Sequence, residues 1–126
     1  MSTDQPDPRV TVGRELATRL FAGGPPTPTV HRSLARHTVA RLFGDVWQDP
    51  TLELTQRSLI TCAALVATGR ESEQRLHFRG ARNLGISRDT LEAMITHVAH
   101  YAGWPVAVST SRTLAEVWDQ MDGESR

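Results

Sequence analysis

The sequence predicts an all-α fold, a single-domain bundle of about six helices. Three observations carry that reading. Apolar residues recur at helical spacing, most cleanly at Leu91, Met94, Ile95, Val98, Ala99 and Ala102. No segment alternates polar and apolar residues with the period of two that a half-buried strand requires. Helix-breaking glycines and prolines fall between the periodic runs, at Gly23 to Pro28, Gly44, Gly69, Gly85 and Gly103.

Taken in order, residues 1–10 are expected to be a disordered tail, since Met1 to Pro8 holds two prolines and no apolar period. The folded domain is expected over 11–122. Val12, Leu16 and Leu20 mark a short first helix despite Gly13 inside it, and Gly23-Gly24-Pro25-Pro26 ends it. A second helix is expected from about His31 to Phe43, with Ala35, Val39, Leu42 and Phe43 on one face and Gly44 as its stop. The third, from near Leu52 to Thr68, carries the nearly uncharged run Ser58 to Ala67 and should be buried almost all round. Arg57, Ser58, Thr61 and Leu65 draw one polar strip along it.

The fourth helix, about Glu71 to Leu84, should end in a glycine cap at Gly85 with Ile86 behind it. Ser87 should cap the fifth, with Asp89 complementing its dipole. Pro105 suits the first turn of a sixth helix, whose buried face reads Val106, Thr110, Thr113, Leu114, Val117, Trp118 and Met121.

Composition narrows the function. The 126 residues hold 14 basic and 14 acidic side chains, so no global field favours nucleic acid or an anionic membrane. No run approaches the ~18 apolar residues of a membrane span. The first residues do not form a signal peptide, so a cytoplasmic protein is expected. One cysteine, Cys62, excludes an internal disulfide and a paired-cysteine redox motif, and its place in the third helix reads as core packing. The five histidines lack metal-ligand spacing, so no metal is expected.

The candidate site lies on the fourth helix. Glu73, His77, Gly80, Ala81 and Leu84 project from one side, which is also the apolar one. An acid and an imidazole four apart on such a face are either a satisfied core or partner-helix contact, or the walls of a wet pocket. Burial without partners costs several kcal/mol. A closed pocket holding both residues would favour an enzyme, and an exposed pair would favour a non-catalytic binding protein. Gly80 and Ala81, with their small side chains, should leave room for a ligand.

These motifs together resemble the carboxymuconolactone decarboxylase family, which has the alkylhydroperoxidase D-like helical fold. They are Gly44-Asp45-Val46-Trp47, Arg57-Ser58-Leu59, Gly69-Arg70, Glu73 with Leu76-His77, Arg79-Gly80-Ala81, and His97 with Tyr101-Ala102-Gly103. The similarity runs from about Phe43 to Trp118 and is nearer to the 4-carboxymuconolactone decarboxylases than to the peroxidase branch. Arg70, Glu73 and His77 stand where the peroxidases carry two cysteines and a histidine, which implies that thiol peroxidase chemistry is absent.

The resemblance implies a homo-oligomer, commonly a trimer or hexamer, with no organic cofactor and no metal. It implies a lyase that removes CO2 from a carboxylated unsaturated lactone. In that reaction the electron pair passes into the lactone carbonyl, so the substrate is its own electron sink. His77 would move the proton and Glu73 would orient it. Arg57, Ser58, Arg70, Trp47, His97, Tyr101 and Trp104 would bind substrate. Two positions depart from the decarboxylase pattern. Asp49 stands where an arginine is expected, and Trp104 replaces a smaller aliphatic residue. Both bear on the substrate, and they admit a family member working on a different ring.

Overall fold

The computed structural model describes residues 7–24 and 29–125. Six α-helices follow in order: α1 (Pro8–Phe21), α2 (Arg32–His37), α3 (Leu54–Ala67), α4 (Glu71–Asn83), α5 (Arg88–Ala102) and α6 (Trp104–Glu124). A π-helix, Thr38–Phe43, extends α2, and a 3₁₀ turn, Val46–Gln48, precedes α3. The described residues contain no strand, so the fold is all-α as expected.

Helix α1 starts earlier than its apolar period implied. Asp7 caps it by accepting the Arg9 backbone N–H at 3.0 Å, and Pro8 takes the first turn. Pro8 to Val10 are therefore helix and not tail, while residues 1–6 lie outside the described part. Gly13 is the contact point of α1. A Cβ there would stand 2.0 Å from the Val39 carbonyl oxygen, and one at Gly44 would stand 2.2 Å from that of Arg9. Two glycines let the backbones of α1 and the π-helix cross directly.

The expected second helix changes its winding at Thr38. The wider turn of the π-helix buries Ala40 and Phe43 and leaves Leu42 exposed, where straight α periodicity had placed Leu42 inward. The stop after α4 matches expectation. Gly85 has φ +91°, and the Ile86 N–H reaches back to the Ala81 carbonyl at 3.0 Å. Ser87 Oγ accepts the Thr90 N–H at 3.1 Å and caps α5. Gly103, at φ +110°, turns α5 straight into α6.

Two cores meet at α4. The larger joins α3 to α6 through Cys62, Val66, Phe78, Leu91, Leu114 and Val117. The smaller holds Leu16, Leu20, Phe43 and Trp47, with Phe21, Leu54 and Leu84 against it. Helix α3 is not buried all round, for only Ser58, Cys62 and Val66 are fully covered and Ile60 is 55% exposed. Its low charge is thus not explained by packing within one chain.

A seam of ion pairs ties α4 to α6. Arg79, buried to 4% exposure, makes a two-pronged pair with Glu124 at 2.8 and 2.9 Å. Arg82 pairs with Asp122 at 2.6 Å and lies 5.0 Å over the Trp118 ring, and Arg75 pairs with Glu116. The expected domain end at 122 therefore cuts short α6 and its last ion pair.

Candidate functional site

His77 lies in the second turn of α4, half-buried at the edge of the covered face, on the side that meets the smaller core. Its backbone carbonyl accepts the Cys62 thiol at 3.5 Å, which registers α4 against α3. Its ring joins a closed circuit of four aromatic rings from four elements. Phe21 of α1 meets it edge-on, with centroids 5.5 Å apart and planes at 84°. Trp47 of the 3₁₀ turn lies nearly parallel, at 6.4 Å and 27°. Phe43 closes the circuit, 6.0 Å from Phe21 and 5.7 Å from Trp47.

This apolar setting controls the charge of the imidazole. Burial pushes its pKa down from the ordinary 6.5 to about 4, and the Glu73 carboxylate pulls only weakly the other way. The ring is neutral at pH 7, with Nδ1 sealed from solvent and without a hydrogen-bond partner.

Glu73 does not share this environment. It stands exposed in the first turn of α4 and makes no hydrogen bond to His77. The apolar face predicted from the sequence is rotated: Gln74, Phe78, Arg79, Gly80 and Ala81 are buried, and Glu73 sits at the edge. Nor do the small residues leave space. Leu20 of α1 fills the room over Gly80, where an added Cβ would meet Leu20 Cδ2 at 3.4 Å, and Ala81 is wholly inside the larger core.

Two further predicted residues lie in the first turns of α3. Arg57 Nη2 donates to the Asp49 carbonyl at 2.8 Å, which holds its guanidinium against the turn carrying Trp47, while its Nε is buried and unpaired. Ser58 is fully buried one turn before Cys62; its hydroxyl lies close enough to the Cys62 thiol to favour the thiolate but makes no well-formed hydrogen bond. Asp49, the departure from the decarboxylase pattern, accepts the Thr51 N–H and hydroxyl at 2.9 and 2.7 Å and shapes this turn. Those hydrogen bonds hold its carboxyl below the usual carboxylate range.

The remaining predicted residues lie elsewhere. Arg70 is exposed at the start of α4. His97 and Tyr101 pack with tilted rings, centroids 5.1 Å apart, on the outer face of α5, and Tyr101 is 81% exposed. Trp104, at 62% exposure, packs edge-on to His100 at the α5–α6 junction. Neither the ring circuit nor the unpaired atoms include these residues. Phe21, by contrast, carries no local signal in the sequence, because its contact with His77 is long-range, and Phe43 reaches the site only through Phe21 and Trp47.

Cys62 is fully buried, and burial pushes its thiol up to about 12, with the neighbouring Ser58 hydroxyl acting weakly the other way. No three His, Cys, Asp or Glu side chains gather to hold a metal ion among the described residues. No helix there is long and apolar enough to cross a membrane. The cavity of about 610 Å³ between α1 and α2 is lined by Arg14, Arg32 and Arg36 and by none of the predicted site residues.

Comparison with known proteins agrees with the motifs. Over 79 residues the chain is 39% identical to the 4-carboxymuconolactone decarboxylase of Acinetobacter baylyi, covering 63% of this chain and 59% of that protein. Over 82 residues it is 33% identical to a nitrosuccinic acid decarboxylase of Metarhizium robertsii, covering 62% and 57%. The chain thus spans just under three-fifths of the length of these relatives. The family model described as the carboxymuconolactone decarboxylase family matches residues 32–116, about two-thirds of the sequence, and the chain belongs to that family.

Proposed function

We propose that this protein is a cofactor-free carbon–carbon lyase that removes CO2 from a small polycarboxylate carrying its own electron sink, and that His77 transfers the proton. The reading rests on one observation above others. The buried polar atoms without partners among the described residues are Nδ1 of His77, Nε of Arg57 and Oγ of Ser58, each in a residue that the family motifs single out. Unpaired buried polar groups are destabilising unless a ligand or water completes them. A neutral imidazole, a guanidinium held in place by the turn and a hydroxyl offer hydrogen-bond donors that suit an anionic, oxygen-rich substrate.

The preferred substrate is a carboxylated unsaturated lactone. Its C–C bond to the departing carboxylate breaks, CO2 leaves, and the electron pair enters the conjugated lactone carbonyl. The oxyanion then collapses as a proton adds to the α-carbon. At rest His77 is neutral and has no spare proton to give. Substrate carboxylates beside the ring would raise its pKa, so that the imidazole takes up a proton from water on binding and delivers it after CO2 departs. Arg57 would hold the carboxylate that stays. Glu73, exposed and unbonded to His77, tunes the ring at a distance and does not orient it.

A second substrate reading is favoured by the relative that acts on nitrosuccinic acid. A nitro group, like a conjugated carbonyl, takes up the electron pair released by loss of CO2. The same imidazole would then protonate the resulting carbanion.

The test is His77→Gln assayed with 4-carboxymuconolactone and with nitrosuccinate. Loss of a general acid lowers kcat by ~10²–10⁴. A variant that keeps wild-type kcat on the preferred substrate, while losing only stability, refutes the assignment. The buried, lone Cys62 also supports the reading that the protein is no thiol peroxidase. Dithiol-coupled peroxide reduction abolished by Cys62→Ala would contradict it.

We further propose that the working form is a homo-oligomer, a trimer or a hexamer. The bare apolar face of α3 at Ile60, together with exposed Tyr101, Trp104 and Val108, supports this.

A further inference from the structure

We infer that Phe21, at the end of α1, is the positioning residue of the site: its ring forms the wall that holds the His77 imidazole in one orientation and shields one side of it from water. This rests on the reading of His77 as the proton-transferring group, but the wall is argued from geometry that stands apart from that reading.

The geometry starts one residue earlier. Leu20 is fully buried over Gly80, whose lack of a side chain lets α1 approach α4. The Leu20 carbonyl, left free at the end of α1, accepts the Asn83 side-chain amide at 2.7 Å. Leu20 is thereby pinned to α4 on both its side-chain and backbone faces. Phe21, next in the chain, has little freedom and stands against His77, one turn N-terminal to Gly80 on α4. Its other side is held by Phe43.

Phe21 lies outside residues 32–116, the part matched by the family model. The orientation of a residue within the family motif is therefore set by a segment that the motif does not include. Trp47, which faces His77 from the other direction, does lie within it. One wall is common ground and the other belongs to α1. Removing the α1 wall alone should free the ring while leaving its backbone, its α3 contact and Trp47 in place.

The charged and titratable groups on the surrounding elements are Arg9, Arg14, Glu15 and Arg19 on α1, Arg41 on the π-helix, Asp45 and Asp49 beside Trp47, Arg57 and Cys62 on α3, Arg70 just before α4, and Glu71, Glu73, Arg75, Arg79 and Arg82 on α4. Of these, Glu73 is the one whose charge bears on the ring. A change of titration on altering Phe21 therefore reports hydration and not a lost charge pair.

The experiment uses the full chain with isotope-labelled histidine, the His77 signal being assigned by its loss in His77→Gln. In the wild type the ring stays neutral from pH 8 down to about 5. In Phe21→Ala the His77 midpoint should rise by more than about one unit toward the solvated value, and kcat should fall ~10²-fold with KM little changed. Phe21→Tyr, which keeps the ring, should behave as wild type in both measurements. Phe21→Leu keeps the core filled and replaces Phe21→Ala if that variant does not fold; it should show a smaller rise in the same direction.

A His77 titration unchanged in Phe21→Ala, or in Phe21→Leu where that variant stands in for it, overturns the inference, as does failure of Phe21→Tyr to restore the wild-type midpoint. If the wild type decarboxylates neither substrate, the functional reading fails while the titration still decides the role of Phe21.

Discussion

At the scale of single residues, the proposed chemistry centres on His77, a half-buried imidazole whose Nδ1 is sealed from solvent and whose ring packs against Phe21 and Trp47. The depressed pKa makes folding sensitive to acid with a definite sign. Between about 4 and 6.5 the unfolded chain binds a proton at this position that the folded chain refuses. The stability contributed by a neutral His77 is thus fully present above pH 6.5 and is lost progressively as pH falls toward 4. Its size is on the order of 3 kcal/mol. Urea unfolding at several pH values should show a slope across this window that His77→Gln flattens. Glu73→Gln should move the His77 midpoint slightly lower still, because its charge favours the protonated ring, and should change global stability little. A large loss of stability in Glu73→Gln would mean that the carboxylate is more than a distant charge.

Elements are placed by what their residues lack as much as by what they carry. Gly13 and Gly44 let α1 and the π-helix touch backbone to backbone, and Gly80 admits Leu20. In each case the obstacle to a larger residue differs. Over Gly80 it is a side chain that can shift, whereas at Gly13 it is a carbonyl oxygen of the backbone. Gly13→Ala should therefore destabilise by ~3 kcal/mol or more, at the upper end of overpacking effects. Gly80→Ala should be milder. A lowered urea midpoint at unchanged m for Gly13→Ala would bear this out, and near-wild-type stability would show that α1 can tilt away freely. Gly44→Ala should be non-additive with Gly13→Ala, since both disturb one crossing. Because α1 carries Phe21, a shift at this crossing should also reach the site.

For the molecule as a whole, the α4–α6 seam and the uncovered apolar surface make separate predictions. The Arg79 guanidinium beside Glu124 holds that carboxyl below its ordinary value. The pair therefore contributes stability above the unfolded carboxyl's pKa, and that contribution is lost as pH falls through the lowered value in the folded state. Glu124→Gln, which leaves Arg79 buried and unpaired, should lower Tm at pH 7, and the gap to wild type should narrow on acidification. A gap that stays constant with pH would show that Glu124 acts through packing. The proposed oligomer is checked by sedimentation velocity. A species well above the 13.9 kDa of one chain is expected, and Ile60→Lys on the bare face of α3 should shift it toward monomer. A stable wild-type monomer across working concentrations would dispose of the assembly.

Several features were settled by the sequence alone, because they depend on neighbours within a few residues. The all-α class follows from helical periodicity. The glycine cap at Gly85, the Ser87 cap and the placing of Pro105 in the first turn of α6 follow from turn and cap chemistry confined to one turn of chain. His77, Arg57 and Ser58 could be singled out because the motifs of the family lie within helices. What only the tertiary structure decided is which neighbours those residues meet. A helical wheel places Glu73 beside His77, but the direction from which α1 and α6 pack rotates the buried face past Glu73. Low charge made α3 look buried, whereas one chain covers only part of it. Phe21 is 56 positions from His77 in the sequence, and their contact depends on where three glycines and one asparagine bring α1 to rest. Burial and direction of approach are properties of the packed whole, and they determine that the imidazole is neutral.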